Sequence, residues 1–310
     1  MDLRRLKTHS LKKRKSKVDR SLLAKPPKTR ASFAGFLDSL PNVLKAKDLK
    51  EIVRRIITAR KKGKPVIALL GAHVVKCGLS PIVIDLVQKN IVTVVALNGA
   101  GIIHDFEMAF CGQTSEDVDR ALQDGSFGMA RETPEFIHAA LREGIVDGKG
   151  FGESVAAKMA QSRLPYRDLS IACACFKKRI PFTVHVAIGT DIIHQHASCD
   201  GATTGEATLK DFRILTEEVA KLNDGGVCLN IGSAVILPEV FLKALSVARN
   251  LTGRVKNFTT VNMDMSVHYR PHQNIVRRPV ADGGRGYCMV GHHEIMLPLL
   301  AHAIAAEMQR

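Results

Sequence analysis

The sequence predicts an α/β fold: a doubly wound, mostly parallel sheet in a single large domain, preceded by a basic N-terminal tail. Three observations predict it. Apolar runs such as Val66 to Leu70 and Ile91 to Leu97, the second broken only by Thr93, have the length and two-sided apolarity of strands covered on both faces. Helical stretches with apolar residues at spacings of three and four lie between them, the alternation of crossover-connected parallel sheets. Each apolar run ends on glycine or a short polar residue, and sheets of this kind bind ligands beyond the carboxyl ends of their strands.

Composition bounds the rest. A chain of 310 residues with 45% hydrophobic and 24% charged residues can bury a large core and is ordinary for a soluble enzyme. No apolar run approaches the roughly 18 to 20 residues that span a bilayer, and no apolar segment follows the first basic residues, so the sequence reads as cytoplasmic with no membrane partner. Seven cysteines, an odd number and mostly set in apolar segments, suit reduced thiols. The net charge is +15, but residues 1–30 hold twelve Lys/Arg against two Asp, leaving 33 basic and 28 acidic residues in 31–310. The run Lys12 to Lys17, followed by Pro26-Pro27, therefore reads as a flexible tail, 1–30, on a body that spans 31–310. Such a tail is a solvated arm, or it meets RNA, an acidic partner or a neighbouring subunit; it holds no aromatic residue to stack on bases.

In chain order, Phe33, Phe36, Leu37, Leu40 and Leu44 dock one face of a short helix, and Asp48 to Arg60 is a stronger one ended by Lys62-Gly63-Lys64-Pro65. Val66 to Leu70 is a strand running into Gly71-Ala72-His73, and Ser80-Pro81 caps and starts the next helix. The run to Leu97 stops at Asn98-Gly99-Ala100-Gly101, read as strand, tight turn and helix, whose exposed N–H groups favour an anion such as phosphate; a turn that only packs helix on strand fits equally. Gly112 to Gly152 changes to short polar helices, Ser115 to Gln123 and Thr133 to Glu143 among them, read as an insertion over the sheet. Asp168 to Lys178 is a helix, Pro181 to Ile188 a strand ending in Gly189-Thr190-Asp191, and a polar stretch follows through Gly205. Leu209 to Leu222 is helical, Val227 to Ile231 a strand, and Gly232-Ser233-Ala234 precedes a helix marked by Pro238. Phe258 to Val261 is the last strand and Glu294 to Met308 the last helix. One rim then collects Gly71 to Val74, Asn98 to Gly101, Gly189 to Asp191, Gly232 to Ala234 and Asn262 to Asp264, a nucleotide-type arrangement.

On these residues the chain resembles the deoxyhypusine synthase family, whose Rossmann-like sheet binds NAD. Asp85-Leu86-Val87-Gln88-Lys89-Asn90 before Asn98-Gly99-Ala100-Gly101 is similar in order and spacing to the family's Leu-Val-Gln-X-Asn helix and Thr-Ala-Gly-Gly strand end. Ile180-Pro181-Phe182, Gly189-Thr190 with Asp191, Gly232-Ser233, Asn262 and Leu297-Pro298-Leu299-Leu300 match further pieces, from about residue 31 to the end. The resemblance implies NAD held by Gly71, Ala72, His73, Asn98, Gly99, Ala100, Gly101, Gly189, Gly232, Ser233, Asn262 and Asp264. It also implies a polyamine substrate held by Asp191 and a homotetramer whose N-terminal segment lies over a neighbour's site.

The chain departs from that pattern in its chemistry. Family enzymes pass an aminobutyl group through a lysine imine, but Ser266 to Val290 has no lysine, only Arg270, Arg277, Arg278 and Arg285, and guanidinium cannot serve as that nucleophile. The family's acidic pair is replaced by Ile103 and His104, and there is no Trp. These departures count against transfer to a protein lysine and leave NAD-dependent oxidation of an amine to an imine. Histidines have gathered instead: eight of twelve follow residue 184, with His185, His194, His196, His268, His272, His292 and His293 in or near the rim. Asp191, His194, His268 and His292 are therefore the expected catalytic groups, as acid–base or substrate contacts. His194, His196 and Cys199 have the ligand types for zinc, so a metal-dependent hydrolase or lyase is the rival enzyme, and a non-catalytic binding protein the rival outside enzymes.

Overall fold

Apolar runs become strands because they are buried on both sides. In the structure, a computed structural model that describes residues 1–310, six parallel strands form one sheet in the order β3-β2-β1-β4-β5-β6. The order of elements is α1 (Phe33–Ser39), α2 (Leu44–Lys61), β1 (Val66–Leu70), α3 (His73–Lys76), α4 (Ser80–Gln88), β2 (Val94–Asn98) and α5 (Gly99–Cys111). Four helices then cross to β3: α6 (Val118–Asp124), α7 (Glu132–Val146), α8 (Phe151–Gln161) and α9 (Ile171–Lys178). After β3 (Phe182–His185) come α10 (Gly201–Ala220), β4 (Val227–Ile231), α11 (Ile236–Thr252), β5 (Thr259–Asp264), α12 (Tyr269–Pro271), β6 (Arg285–Val290) and α13 (His293–Met308).

Alternate strand residues feed two cores. Val66, Ala68 and Leu70 join Val95 and Leu97 in the larger one, with α2, α4, α5, α7, α8, α9 and α13. Ile67 and Leu69 join Val94 and Ala96 in the smaller, under α10 and α11. The order runs outward from β1 in both directions, so the strand connections reverse direction between β1 and β4, the switch point at which ligands bind in such sheets.

The differences from expectation have local causes. β2 runs straight into α5 with no turn between, because the Asn98 carboxamide oxygen accepts from the Gly101 N–H at 3.0 Å and makes Asn98 the helix cap. α10 starts eight residues before Leu209: Asp200 accepts from the Thr203 N–H at 2.7 Å, and Gly201 and Gly205, read as loop, lie within the helix. Ser80 is the first helical residue rather than a cap. The crossover from β2 is mostly core, since α7 buries Ile137, Ala140 and Leu141 and α8, which periodicity missed, buries Phe151, Val155 and Met159; only α6 buries nothing. β6 is an edge strand whose only buried residues are Tyr287 and Met289, too thin an alternation to be read in the sequence.

Residues 1–30 bury no side chain and join the body where the Lys25 N–H meets the Ser39 carbonyl and the Asn42 N–H meets the Leu22 carbonyl. α1 docks through buried Leu37 and through Phe33, whose ring centroid lies 5.4 Å from that of His302 on α13. No helix is long and apolar enough to cross a membrane.

Candidate functional site

The helix launched from the carboxyl end of β2, α5, forms one wall of a cavity of about 530 Å³. Four carboxylates line it, Glu107, Glu116, Glu132 and Asp191, against one cationic side chain, Lys76. Ile103, Phe110 and Phe127 supply apolar wall between them. In a chain of net charge +15 this is a concentrated region of opposite sign, suited to an elongated cation with methylene segments.

Asp191 lies where its position after β3 suggested, but its partners are internal. It is 7% exposed, accepts from the Ala187 N–H at 2.9 Å, and a Cβ added to Gly99 would sit 2.1 Å from its Oδ2. Burial raises its pKa, with the Ala187 N–H and His194 pulling it back. The first N–H groups of α5, expected to meet phosphate, therefore face the side chains of Asn98 and Asp191; the glycine at 99 is what lets the carboxylate approach. Asp191 still reaches the cavity wall beside Thr190 and Ile192.

A second network lies one turn along α5. Glu107 accepts from the Thr114 hydroxyl and, at 3.2 Å, from the Thr133 hydroxyl, while His104 Nδ1 is 2.6 Å from Thr114 Oγ1 and 3.6 Å from Glu107 Oε2. Burial pushes the Glu107 carboxyl up, but His104 and the two threonines outweigh it and hold the group below its usual range. None of these was an expected site residue, although His104 stands where the resembled family has one of its acidic pair. His104 and Glu107 share a helical face at i, i+3, which periodicity could have paired; nothing local ties Thr114 or Thr133 to them.

The expected metal ligands do not converge. His196 Nε2 bonds the Gly128 carbonyl at 2.7 Å, Cys199 Sγ faces Thr204 Oγ1 at 3.9 Å, and both ring nitrogens of His194 are buried without partner. No group of three or more His, Cys, Asp or Glu side chains is arranged to hold a metal ion. The H-x-H pair fails because residues 192–195 form a 3-10 turn, not the extended segment that would aim both rings one way. His268 and His292 stand after β5 and β6, and neither lines the cavity that Asp191 reaches. His268 bonds Ser266 and His292 lies 3.9 Å from Glu294. His185 is buried against Thr183 Oγ1, its pKa lowered by burial to about 3.

The switch point between β1 and β4 carries the other polar group. Gly71 and Gly232 pack backbone to backbone, a Cβ at Gly71 falling 2.0 Å from the Gly232 carbonyl. Asn230 Nδ2 donates to Asn262 Oδ1 at 2.7 Å and to the Ser233 carbonyl at 2.9 Å, and Ser233 Oγ accepts from the Leu237 N–H at 3.2 Å. His293 Nε2 lies 3.9 Å from Asp264 Oδ1, and Lys76, His293 and His104 add to burial in lowering the His73 pKa, so these side chains share a neighbourhood with the cavity. Asn230 Oδ1 and His293 Nδ1 are buried without partner, and α11 begins at Ile236, its Leu237 N–H taken by Ser233 Oγ. Unpaired buried polar atoms at the switch point fit the polar groups of a dinucleotide. Ala72 and His73 lie on this side of the rim, and Gly189 on the far side of β3.

The sequence matches no family model and no curated protein. Solved structures do share the fold. AgrE, in its ternary complex with ornithine and NAD+, aligns over 84% of this chain and 33% of its own at 13% identity and a TM-score of 0.54. A Methanococcus maripaludis S2 protein assigned as LOR/SDH aligns over 92% and 74% at 15% identity and a TM-score of 0.53. An Entamoeba histolytica protein assigned as a deoxyhypusine synthase aligns over 88% and 93% at 9% identity and a TM-score of 0.51. The chain thus spans about a third of the length of AgrE. At these identities the likeness is one of fold, a single α/β domain with an all-parallel, Rossmann-like sheet.

Proposed function

We propose that this protein is an NAD-dependent enzyme that oxidises a small amine, a polyamine or a related compound, to an imine that is then transferred or hydrolysed. The acid-lined cavity at the sheet's ligand-binding rim carries the reading: four carboxylates around an apolar-walled space suit a chain of methylenes bearing ammonium groups. The fold likeness to AgrE, whose complex holds ornithine and NAD+, and to the Entamoeba protein assigned as a deoxyhypusine synthase supports the same pairing of cofactor and amine.

In this reading NAD lies over β1, β4 and β5. Asn230, Ser233, Asp264 and His293 would meet its polar groups. Bound there, NAD supplies a hydride acceptor. Glu116, Glu132 and Asp191 bind and orient the amine, Glu107 adds its charge from the wall, and Ile103, Phe110 and Phe127 exclude water from its methylenes. The chain has no lysine in the segment 266–290, so the imine passes to a small amine or to water rather than through a lysine of that segment. A homo-oligomer, a tetramer as in the family the sequence resembles, and RNA or an acidic partner on the basic tail belong to the same proposal.

Purified protein given NAD with spermidine, putrescine or ornithine tests it by the absorbance of NADH. Reduction dependent on one of these amines, and lost in Glu116→Gln/Glu132→Gln, is the expected result. Protein that binds the amines yet never NAD is a non-catalytic binding protein, and the enzyme reading falls.

A further inference from the structure

His104 stands at the boundary between the acidic cavity and the buried interior, and its hydrogen bonds fix which of its nitrogens is basic. The threonine hydroxyl has one proton. Thr114 gives it to Glu107, a carboxylate held ionised that can only accept, so Thr114 Oγ1 is left as an acceptor toward His104 Nδ1. The neutral ring is therefore the Nδ1–H tautomer. Its Nε2 keeps a free lone pair, makes no hydrogen bond and is not among the enclosed unpaired atoms, while the ring lines the cavity. The second oxygen of Glu107 is held by Thr133 on a different helix, so the carboxylate cannot swing into the cavity and leave the ring.

We propose that His104 is the base that deprotonates an ammonium group bound among Glu116, Glu132 and Asp191, an inference that rests on the amine reading of this cavity. An ammonium nitrogen has no lone pair, and an amine can give up hydride from its carbon or attack a carbonyl only once neutral. The ammonium N–H bond breaks, its electron pair stays on nitrogen, and the proton moves to His104 Nε2. The imidazolium keeps its Nδ1–H on Thr114, and Glu107 stabilises the positive charge across a distance of 3.6 Å. No oxidant or second reactant takes part. The other titratable groups facing the ring are poorer acceptors. Glu107, Glu116, Glu132 and Asp191 are carboxylates that need only remain charged, Lys76 is a cation, and His73 lies on the side of His293. The arrangement is the nucleophile-activating logic of histidine and carboxylate with a threonine hydroxyl between them.

Two measurements test it. Long-range proton–nitrogen spectra of the full protein labelled at histidine, with His104→Gln for assignment, report the tautomer without any ligand. Nδ1–H is expected, with a change toward Nε2–H in Thr114→Val; Nε2–H in the wild type overturns the proposal. With NAD present, His104→Gln is expected to bind spermidine within about twofold of wild type while losing about 100-fold in turnover and the acidic limb of the pH profile, with partial rescue by added imidazole. Spermidine bound and oxidised by His104→Gln with an unaltered acidic limb overturns the proposal alone. Spermidine that does not bind the wild type overturns the amine reading, and the proposed base with it.

Discussion

Asp191 is held between two demands. It lines the cavity, yet its carboxylate accepts from the Ala187 N–H and packs against Gly99 at the first turn of α5. Removing it exposes the end of a core helix as well as a binding group, so Asp191→Ala is expected to lower unfolding free energy by about 1–3 kcal/mol, in the range of a lost cap and a buried unsatisfied donor. Gly99→Ala is expected to do the same through displacement, since its methyl would fall 2.1 Å from Asp191 Oδ2. Urea midpoints measure both, and a Gly99→Ala protein as stable as wild type would contradict the placement of the carboxylate. The sequence made Asp191 legible as a polar residue just past a strand. It did not reveal that Asp191 serves the glycine helix it was expected to face across the rim, because that pairing joins residues ninety apart through the sheet.

Helices α5, α8 and α9 share a device: each N-terminus is met by a buried aspartate from a distant element. Asp105 on α5 accepts from Ser170 Oγ and from the Ile171 and Ala172 N–H groups at the start of α9. Asp211 on α10 accepts from the Gly152 N–H of α8 and the Val184 N–H of β3. Burial outweighs these bonds and pushes Asp105 up to about 6 and Asp211 up to about 7. Both folded values exceed the unfolded one near 3.9, so the folded state binds more protons between about pH 4 and pH 7, and this contribution to stability is lost as pH rises through 6 and 7. His138 and His185, lowered by burial to about 4 and about 3, act oppositely: the unfolded chain takes up their protons below about pH 6.5, and stability falls toward pH 4. The two pairs oppose each other on acidification. Asp211→Asn removes one partner, so its stability is expected to fall further than that of wild type between about pH 7 and pH 5; an identical slope in urea titrations would contradict the assignment. Periodicity gave these helices' existence and polarity, but α8 and the early start of α10 depended on such caps and on Asp200, whose partners are set by tertiary contact or lie in a segment rich in glycine.

At the scale of the molecule, charge is divided. The excess positive charge is concentrated in residues 1–30, which bury no side chain, while the cavity gathers four carboxylates against one lysine. Deleting residues 1–28 is therefore expected to leave the urea midpoint unchanged and to abolish any salt-dependent retention on RNA. A lower midpoint would mean that the tail holds the body together. The sheet was legible because two-sided burial is written locally in its apolar runs. The site was only half legible, since an acidic cavity assembled from α5, the segment after it, α7 and the turn after β3 has no signature along the chain, and the histidines that drew attention by number do not line it. The claim that most of this account depends on is that the cavity holds an amine. Calorimetric titration of spermidine into wild type and into Glu116→Gln/Glu132→Gln tests it directly. Binding by the wild type, weakened at least tenfold by the paired substitutions and by added salt, is the expected result. Equal affinity in both proteins, or none in either, would contradict it.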